Sequence, residues 1–115
     1  MTQMRHTMRD DAGVTVVSLD GELEVSEAPA LRDLLGSLIA GPQSRILLDL
    51  GSVSFIDSSG IGVLVGAHRL AEQAGARLGL AAAGSGVRRV FELTRTDRVL
   101  RLYVSVPDGV AALRS

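Results

Sequence analysis

The sequence predicts an α/β fold in which a mixed, mostly parallel sheet is opened by an N-terminal antiparallel hairpin and covered by about four helices. Two observations predict it. Short apolar runs of strand type alternate with segments whose apolar residues recur at helical spacing, and only the turn residues DDAG separate the first two runs. Because 115 residues with 46% hydrophobic content suffice for one core, we expect a single domain over residues 1–115.

The opening hairpin is predicted at residues 4–8 and 14–19, where MRHTM and VTVVSL alternate in hydropathy. The first helix is predicted within VSEAPALRDLLGSLIAG, residues 25–41, because its leucines keep helical spacing. Ser26 is placed to cap the N-terminus of this helix, and Gly41 is placed to end it. The connection after the hairpin is therefore expected to cross one face of the sheet.

The middle of the chain predicts a strand followed by a long helix. RILLDL at residues 45–50 is an apolar run typical of a buried strand, and SVSFI resumes the run before DSSG breaks it. The second helix is predicted over residues 58–74, with Gly75 as its stop. Its core-facing stripe is predicted to consist of Gly60, Val63, Leu64, Ala67, Leu70, Ala71 and Ala74.

The last third of the chain predicts a strand at residues 77–82, a third helix around VRRVFEL, a strand near residues 98–104 and a short helix after Pro107. Since strands that alternate with helices run parallel through right-handed crossovers, these elements extend the sheet. The residues expected among its buried contacts are Ile46, Leu48, Leu64, Leu80 and Phe91.

The composition excludes several classes of function. The chain has no cysteine and no lysine, so disulfides, thiolate catalysis, Schiff-base chemistry and a P-loop lysine are excluded. A net charge of −1 gives no electrostatic reason to expect nucleic-acid binding. No apolar run is long enough to span a membrane or to serve as a signal peptide, so a cytoplasmic protein without membrane contact is expected. We expect neither a cofactor nor a metal.

Residues 55–62 read FIDSSGIG and lie where a strand's carboxyl end meets a helix N-terminus, the usual place for a site in an open α/β sheet. Asp57, Ser58 or Ser59 is suited to cap the helix. A serine nucleophile is a second interpretation, but the first glycine of a G-x-S-x-G elbow is absent, and His68 lies about 15 Å along the helix. A third interpretation is a serine that another protein modifies.

The glycines after the serines allow another interpretation. Gly60, Gly62 and Gly66 are spaced much as in some dinucleotide-binding turns. However, Asp57 would repel a pyrophosphate, and no acid follows the next strand to bind a ribose. A small nucleotide-binding module is therefore kept as an alternative.

Ile61 and Val65 fall outside the predicted core stripe of the second helix. They lie beside Gly62 and Gly66, which would let another backbone come close. This arrangement predicts a surface on which a partner protein docks. The alternative is that a second helix of the same domain covers both residues.

The block RILLDLGSVSFIDSSGIGVLVGAHRLAEQAGARLGL, with DGELEVSEAPAL upstream and GVRRVFELTRTDRVLRLY downstream, resembles the STAS-domain anti-sigma factor antagonists over almost the whole chain. The D-S-S-G-[IL]-G core after an apolar strand is the specific part. The resemblance implies a STAS-like sandwich and a regulatory protein that is not an enzyme. Such a protein binds an anti-sigma factor and thereby frees a sigma factor.

The resemblance also implies a switch. In this family the anti-sigma factor is typically a serine kinase that inactivates the antagonist by phosphorylating the first serine of the motif, here Ser58, and a phosphatase reverses the modification. Glu24, in GELE, stands where the family commonly has aspartate, which keeps the charge but changes its reach. The expected partner-binding residues are Glu24, Asp57, Ser59, Ile61, Gly62 and Val65.

The local chemistry agrees with such a switch, because a helix N-terminus tolerates a phosphate on Ser58, and the new charge would appear beside Asp57 and Glu24. The competing interpretation within the same fold is a STAS-like scaffold or a subunit of a lipid-transport complex, neither of which needs phosphorylation. In both cases we expect a monomer or a weak dimer.

Overall fold

The computed structural model describes residues 4–115, which form a five-stranded sheet with helices on both faces. The strands lie in the order β1-β2-β3-β4-β5. Their bounds are β1 (Arg5–Asp11), β2 (Val14–Leu23), β3 (Arg45–Ile56), β4 (Arg77–Ala81) and β5 (Leu102–Tyr103). The helices are α1 (Ala28–Leu38), α2 (Ser58–Ala74), α3 (Ser85–Leu93) and α4 (Val106–Arg114), and a 3-10 turn spans Thr96–Arg98. Only β1 is antiparallel to its neighbour, so the predicted mixed sheet is confirmed.

The opening hairpin forms around a two-residue turn. Ala12 and Gly13 both have positive φ, 55° and 85°, which is the arrangement of a type I′ turn and matches the twist of the flanking strands. The pairing of β1 with β2 runs from Arg5, opposite Asp20, to Asp11, opposite Val14. The hairpin prediction is confirmed, although β2 continues to Leu23, beyond the predicted end.

The two faces of the sheet carry separate apolar clusters because successive strand residues point to opposite sides. The larger cluster lies beneath α1, α2 and α3 and includes Leu48, Leu64 and Phe91. The smaller one lies beneath α4 and includes Leu47 and Val110. All five residues predicted among the buried contacts are buried, which confirms that prediction.

The predicted start of α1 is wrong. The helix begins at Ala28, with Glu27 at the N-cap and no side-chain capping bond. The Ser26 hydroxyl instead donates to Glu24 Oε1 at 3.2 Å, and the Glu27 amide donates to the Glu24 carbonyl at 2.9 Å. A turn therefore precedes the helix and uses the hydroxyl that was expected to cap it. The helix also ends before Gly41.

β3 is one continuous strand across the point where the sequence interrupts its apolar run. It pairs with β4 only as far as Asp49, opposite Ala81, whereas its pairing with β2 continues to Ile56, opposite Leu23. Two irregularities in the β2–β3 register accommodate this extension. The far ends of β2 and β3 therefore project beyond β4 as a two-stranded ribbon, and α2 follows directly.

α2 has the predicted bounds, and Gly75 ends it in the left-handed conformation with φ 72°. Its buried surface differs from the predicted stripe at two places. Leu70 is 42% exposed, and Ile61 is only 7% exposed and belongs to the larger apolar cluster. Val65 is half-buried and packs against the same cluster. The expectation that Ile61 lies outside the core is therefore wrong, and Val65 lies at the boundary of the core.

The physical reason is that α2 is covered on more than one side. Ile61 shares its cluster with Val87 and Phe91 of α3, so the apolar arc of α2 is wider than a stripe that faces only the sheet. On the opposite side, Leu70 lines an open groove between α1 and α2. The alternative interpretation was that a second helix of the same domain covers both residues. The burial of Ile61 and the packing of Val65 against a cluster that contains Val87 and Phe91 of α3 agree with it.

The C-terminal elements are shorter or shifted relative to prediction. The strand near residues 98–104 is reduced to Leu102–Tyr103. α4 begins at Val106, because Ser105 caps it by accepting from the Asp108 amide at 3.2 Å, so Pro107 lies inside the first turn. Among residues 4–115, no helix has both the length and the apolarity that crossing a membrane would require.

Leu64 and Leu70 provide a matched test of the α2 packing, because Leu64 is fully buried and Leu70 is not. We expect Leu64→Ala to lower the free energy of unfolding by about 2–5 kcal/mol through the lost burial and the cavity left behind. Leu70→Ala should cost about 1 kcal/mol or less. Urea denaturation measures both, and equal losses would contradict the assigned orientation of α2.

Candidate functional site

Asp57 joins three elements at the carboxyl end of β3. Its Oδ1 accepts a hydrogen bond from the Gly60 amide at 3.0 Å and so caps α2. Its Oδ2 accepts from the Val25 amide, in the β2–α1 loop, at 3.1 Å. One carboxylate therefore fixes both the helix N-terminus and the neighbouring loop, and its charge lies at the positive end of the helix dipole.

The N-terminus of α2 lies unusually close to the end of β2. The Asp57 amide donates to the Leu23 carbonyl at 3.2 Å. A Cβ atom at Gly60 would overlap that same carbonyl oxygen and would come within 2.9 Å of Ile56 Cγ1. Glycine is required at position 60 because the backbones approach so closely, which fixes where the first turn of α2 sits.

The two serines that follow Asp57 have different surroundings. Ser58 is the first residue of α2 and is exposed, whereas Ser59 is half-buried and lines a depression beside α1. Since a helix leaves the N–H groups of its first turn without intrahelical acceptors, a group attached to Ser58 would lie beside free donors. The Ser58 hydroxyl is thus accessible to a large partner such as an enzyme.

Glu24 lies in the loop that Asp57 holds. It is half-buried, and it precedes Val25, whose amide binds Asp57. The Glu24 side chain is in turn bonded by the Ser26 hydroxyl. Glu24 and Asp57 therefore bring two carboxylates to adjoining segments at this junction.

An open groove runs between α1 and α2 and ends at Ser59. One part, of about 290 Å³, is lined by Arg32, Leu35, Gly36, Gly62, Val63, Gly66, Ala67 and Leu70. The other part, a shallow depression of about 520 Å³, is lined by Val25, Ala28, Pro29, Arg32, Ser59, Gly62 and Val63. Because the two parts share Arg32, Gly62 and Val63, we treat them as one feature, the α1–α2 groove.

The floor of the α1–α2 groove is open because glycines line it. A Cβ atom at Gly36, Gly62 or Gly66 would meet no atom within 4 Å. Gly62 therefore differs from Gly60, two residues earlier, where the space is already filled. The groove offers an apolar surface with a cation, Arg32, at its edge.

The structure gathers most of the predicted site residues on one surface. Those brought together are Glu24, Asp57, Ser58, Ser59 and Gly62. Ile61 is not among them, because it is buried in the core, and half-buried Val65 packs against the same core.

Sequence reasoning missed Val25, which is 68% exposed, and Arg32. The sequence does contain a signal for Val25. It is an apolar residue between the polar residues Glu24 and Ser26, and it does not fit the helical spacing of the leucines in α1.

His68, which was considered as the base for a serine nucleophile, lies beside other residues than the serines. His68 Nε2 lies 3.8 Å from Glu72 Oε1, which also accepts from Arg101 Nη2 at 3.3 Å. No hydrogen bond within residues 4–115 joins His68 to Ser58. In the same part of the chain, no three His, Cys, Asp or Glu side chains are grouped closely enough to hold a metal ion.

A family model and the sequences of known proteins show similarities to this chain that agree with one another. The model of the STAS domain family matches residues 6–109. The chain is 31% identical over 108 residues to the anti-sigma-F factor antagonist RsfB of Mycobacterium tuberculosis, covering 94% of this chain and 88% of the relative. It is 33% identical over 95 residues to the anti-sigma-B factor antagonist of Bacillus subtilis, covering 82% and 85%.

A solved structure gives the same result for the fold. The crystal structure of an anti-sigma factor antagonist from Mycobacterium paratuberculosis superimposes with a TM-score of 0.86 at 30% identity, covering 98% of this chain and 96% of that one.

Gly60 and Gly62 allow a controlled test of the helix start. We expect Gly60→Ala to lower the free energy of unfolding by about 2 kcal/mol or more, because the added methyl group meets the Leu23 backbone. Gly62→Ala should instead raise it by about 0.5–1 kcal/mol, since the space is open and alanine favours the helix. Thermal and urea unfolding measure both, and a stable Gly60→Ala variant would contradict the close approach described above.

Proposed function

The chain belongs to the STAS domain family, and on that premise we propose that residues 1–115 act as one STAS domain that is an anti-sigma factor antagonist. It binds an anti-sigma factor and so releases the sigma factor that the anti-sigma factor had held. The names of the relatives described above support this role. The observation that carries it for this chain is an exposed serine at a capped helix N-terminus, beside an open apolar groove.

Ser58 is the proposed phosphoacceptor, and the anti-sigma factor is the proposed serine kinase. The position supports this because Ser58 is exposed and begins α2. A phosphate attached there lies beside the first-turn amides of α2 and the positive end of the helix dipole, so we expect the folded domain to tolerate it. A phosphatase that removes the phosphate would return the protein to its active form.

The same phosphate should oppose binding for an electrostatic reason. It adds about −1.5 to −2 charges next to Asp57 and Glu24. A partner that covers this surface would have to remove water from the phosphate without a new cation to pair with it. Phosphorylation therefore changes the surface and leaves the core of the domain unchanged.

The proposed partner surface comprises the Asp57 junction and the adjoining end of the α1–α2 groove. Glu24, Asp57 and Ser59 supply its polar groups. Gly62 leaves room for a partner side chain or backbone, and exposed Val25 supplies apolar area. Ile61 and Val65 support α2 from inside the core and have no direct contact with the partner in this proposal. The role is binding and regulation, without catalysis by this chain.

The phosphorylation proposal is tested with the cognate anti-sigma factor and ATP. We expect mass spectrometry to place one phosphate, on Ser58, and phosphorylation to weaken binding by at least about tenfold, or about 1.4 kcal/mol. Ser58→Ala should bind equally with and without ATP, and Ser58→Asp should bind weakly throughout.

Ser59→Ala is the matched control, because it removes the neighbouring hydroxyl and keeps the expected acceptor. It should still take up phosphate on Ser58. Phosphate on Ser59 would contradict the assignment, and so would absence of phosphate together with undiminished binding by Ser58→Asp.

The partner surface is tested by filling the groove. We expect Gly62→Leu to weaken binding to the anti-sigma factor by about tenfold or more, because the leucine occupies space that a partner needs. The melting temperature should not fall, since a Cβ atom at this position has no neighbour within 4 Å and the groove beyond it is open. Gly86→Leu is the control: Gly86 is also helical, exposed and in open space, but it lies on α3. Normal binding by Gly62→Leu, or an equal loss with Gly86→Leu, would remove the groove from the interface.

A further inference from the structure

β1 is an edge strand of the sheet. Among residues 4–115 it pairs with β2 alone. All seven of its residues, Arg5–Asp11, are exposed. Its outer backbone N–H and C=O groups therefore form a template for another strand. The opposite edge, β5, has only two residues and offers no comparable length.

The order of charges along β1 is self-complementary. In an antiparallel pair of two copies of β1, residues i and j lie opposite each other with i + j constant. When Met8 lies opposite Met8 of the second copy, Arg5 faces Asp11 and His6 faces Asp10, and each of these pairs occurs twice. Opposite charges directly across an antiparallel pair stabilise it.

Neighbouring registers have the reverse effect. When the two-fold axis is perpendicular to the sheet, a given residue lies on the same face of the sheet in both copies. Because residues opposite each other also share a face, the sum i + j must be even, and the register can shift only in steps of two residues. One such step places Arg5 opposite Arg9, and a step in the other direction places Arg9 opposite Arg9 of the second copy. Charges on an edge strand commonly prevent pairing with another chain. In β1 the order of charges opposes pairing in the neighbouring registers and favours it in the register that places Met8 opposite Met8.

We propose that β1 is a homodimerisation surface, on which a second copy of this chain pairs antiparallel with Met8 at the two-fold axis. The two sheets join through roughly six to eight main-chain hydrogen bonds. Met8, which is 52% exposed, is covered by its counterpart. Arg5 already lies 3.7 Å from Asp20 through Nη2 and Oδ2, so it would lie between that carboxylate and Asp11 of the second copy. The proposal is independent of the proposed function.

The register is tested with single cysteines, which is simple because the chain has no natural cysteine. Residues at the two-fold axis lie close enough for a disulfide, whereas residues one position away are offset from their own counterparts. We therefore expect Met8→Cys to form a disulfide-linked dimer under mild oxidation much faster than Thr7→Cys or Arg9→Cys. Fastest linkage at position 7 or 9 would overturn this register, and equally slow linkage at all three positions would overturn the interface.

The charges are tested by sedimentation over a range of concentrations, with circular dichroism to confirm folding. We expect the natural chain to dimerise reversibly, and Asp11→Arg to raise the dimer dissociation constant by about tenfold or more, because two attractive pairs become repulsive. The control Asp33→Arg makes the same charge change at an exposed position on α1 and should dimerise normally. A natural chain that stays monomeric at every concentration would overturn the proposal.

Mixing two charge-reversed variants tests whether dimerisation can be restored. When Arg5→Asp and Asp11→Arg chains are mixed, both pairs between positions 5 and 11 of the mixed dimer join an arginine to an aspartate, one as in the natural chain and one with the signs exchanged. Native mass spectrometry should then show the mixed dimer in excess of either homodimer. A statistical mixture would contradict the charge pairing, and protection of β1 amides from hydrogen exchange only when an anti-sigma factor is added would assign this edge to that partner instead.

Discussion

The carboxylate of Asp57 is the constraint on which the rest of the site depends. With one oxygen on the Gly60 amide and the other on the Val25 amide, it fixes the start of α2 relative to the loop between β2 and α1. The packing of α1 beside α2 leaves the open groove next to this junction. The position of the exposed serine and the placement of the loop that carries Glu24 therefore depend on one residue at the end of a strand.

The elements that the sequence predicted well are those whose ends are determined locally. α2 starts where an aspartate can cap it and stops at a glycine that adopts a left-handed conformation, and both signals are readable from neighbouring residues. The α1 start failed because Glu24 and Ser26 bond to each other before the helix begins. That competition between two polar side chains depends on their geometry, which the sequence does not display.

The orientation of α2 failed for a different reason. A stripe of apolar residues predicts one buried side, but Ile61 is buried by the cluster that α3 completes, and Leu70 is left at an open groove. Which flank of a helix receives a neighbour is a property of the tertiary fold. The candidate site was nevertheless largely predictable, because Asp57, Ser58 and Ser59 are adjacent in sequence and lie at the usual strand-to-helix position of α/β sheets.

Gly60 and Gly62 are separated by one residue, yet they are subject to different selection. Any side chain at position 60 would displace the β2 backbone, so replacements there are removed whatever protein the domain binds. A Cβ atom at position 62 has no neighbour within 4 Å, so the packing of the domain does not require glycine there. In the proposed interface, a substitution at position 62 would therefore alter the surface offered to a partner while leaving the fold in place, so partner choice could change without a loss of stability.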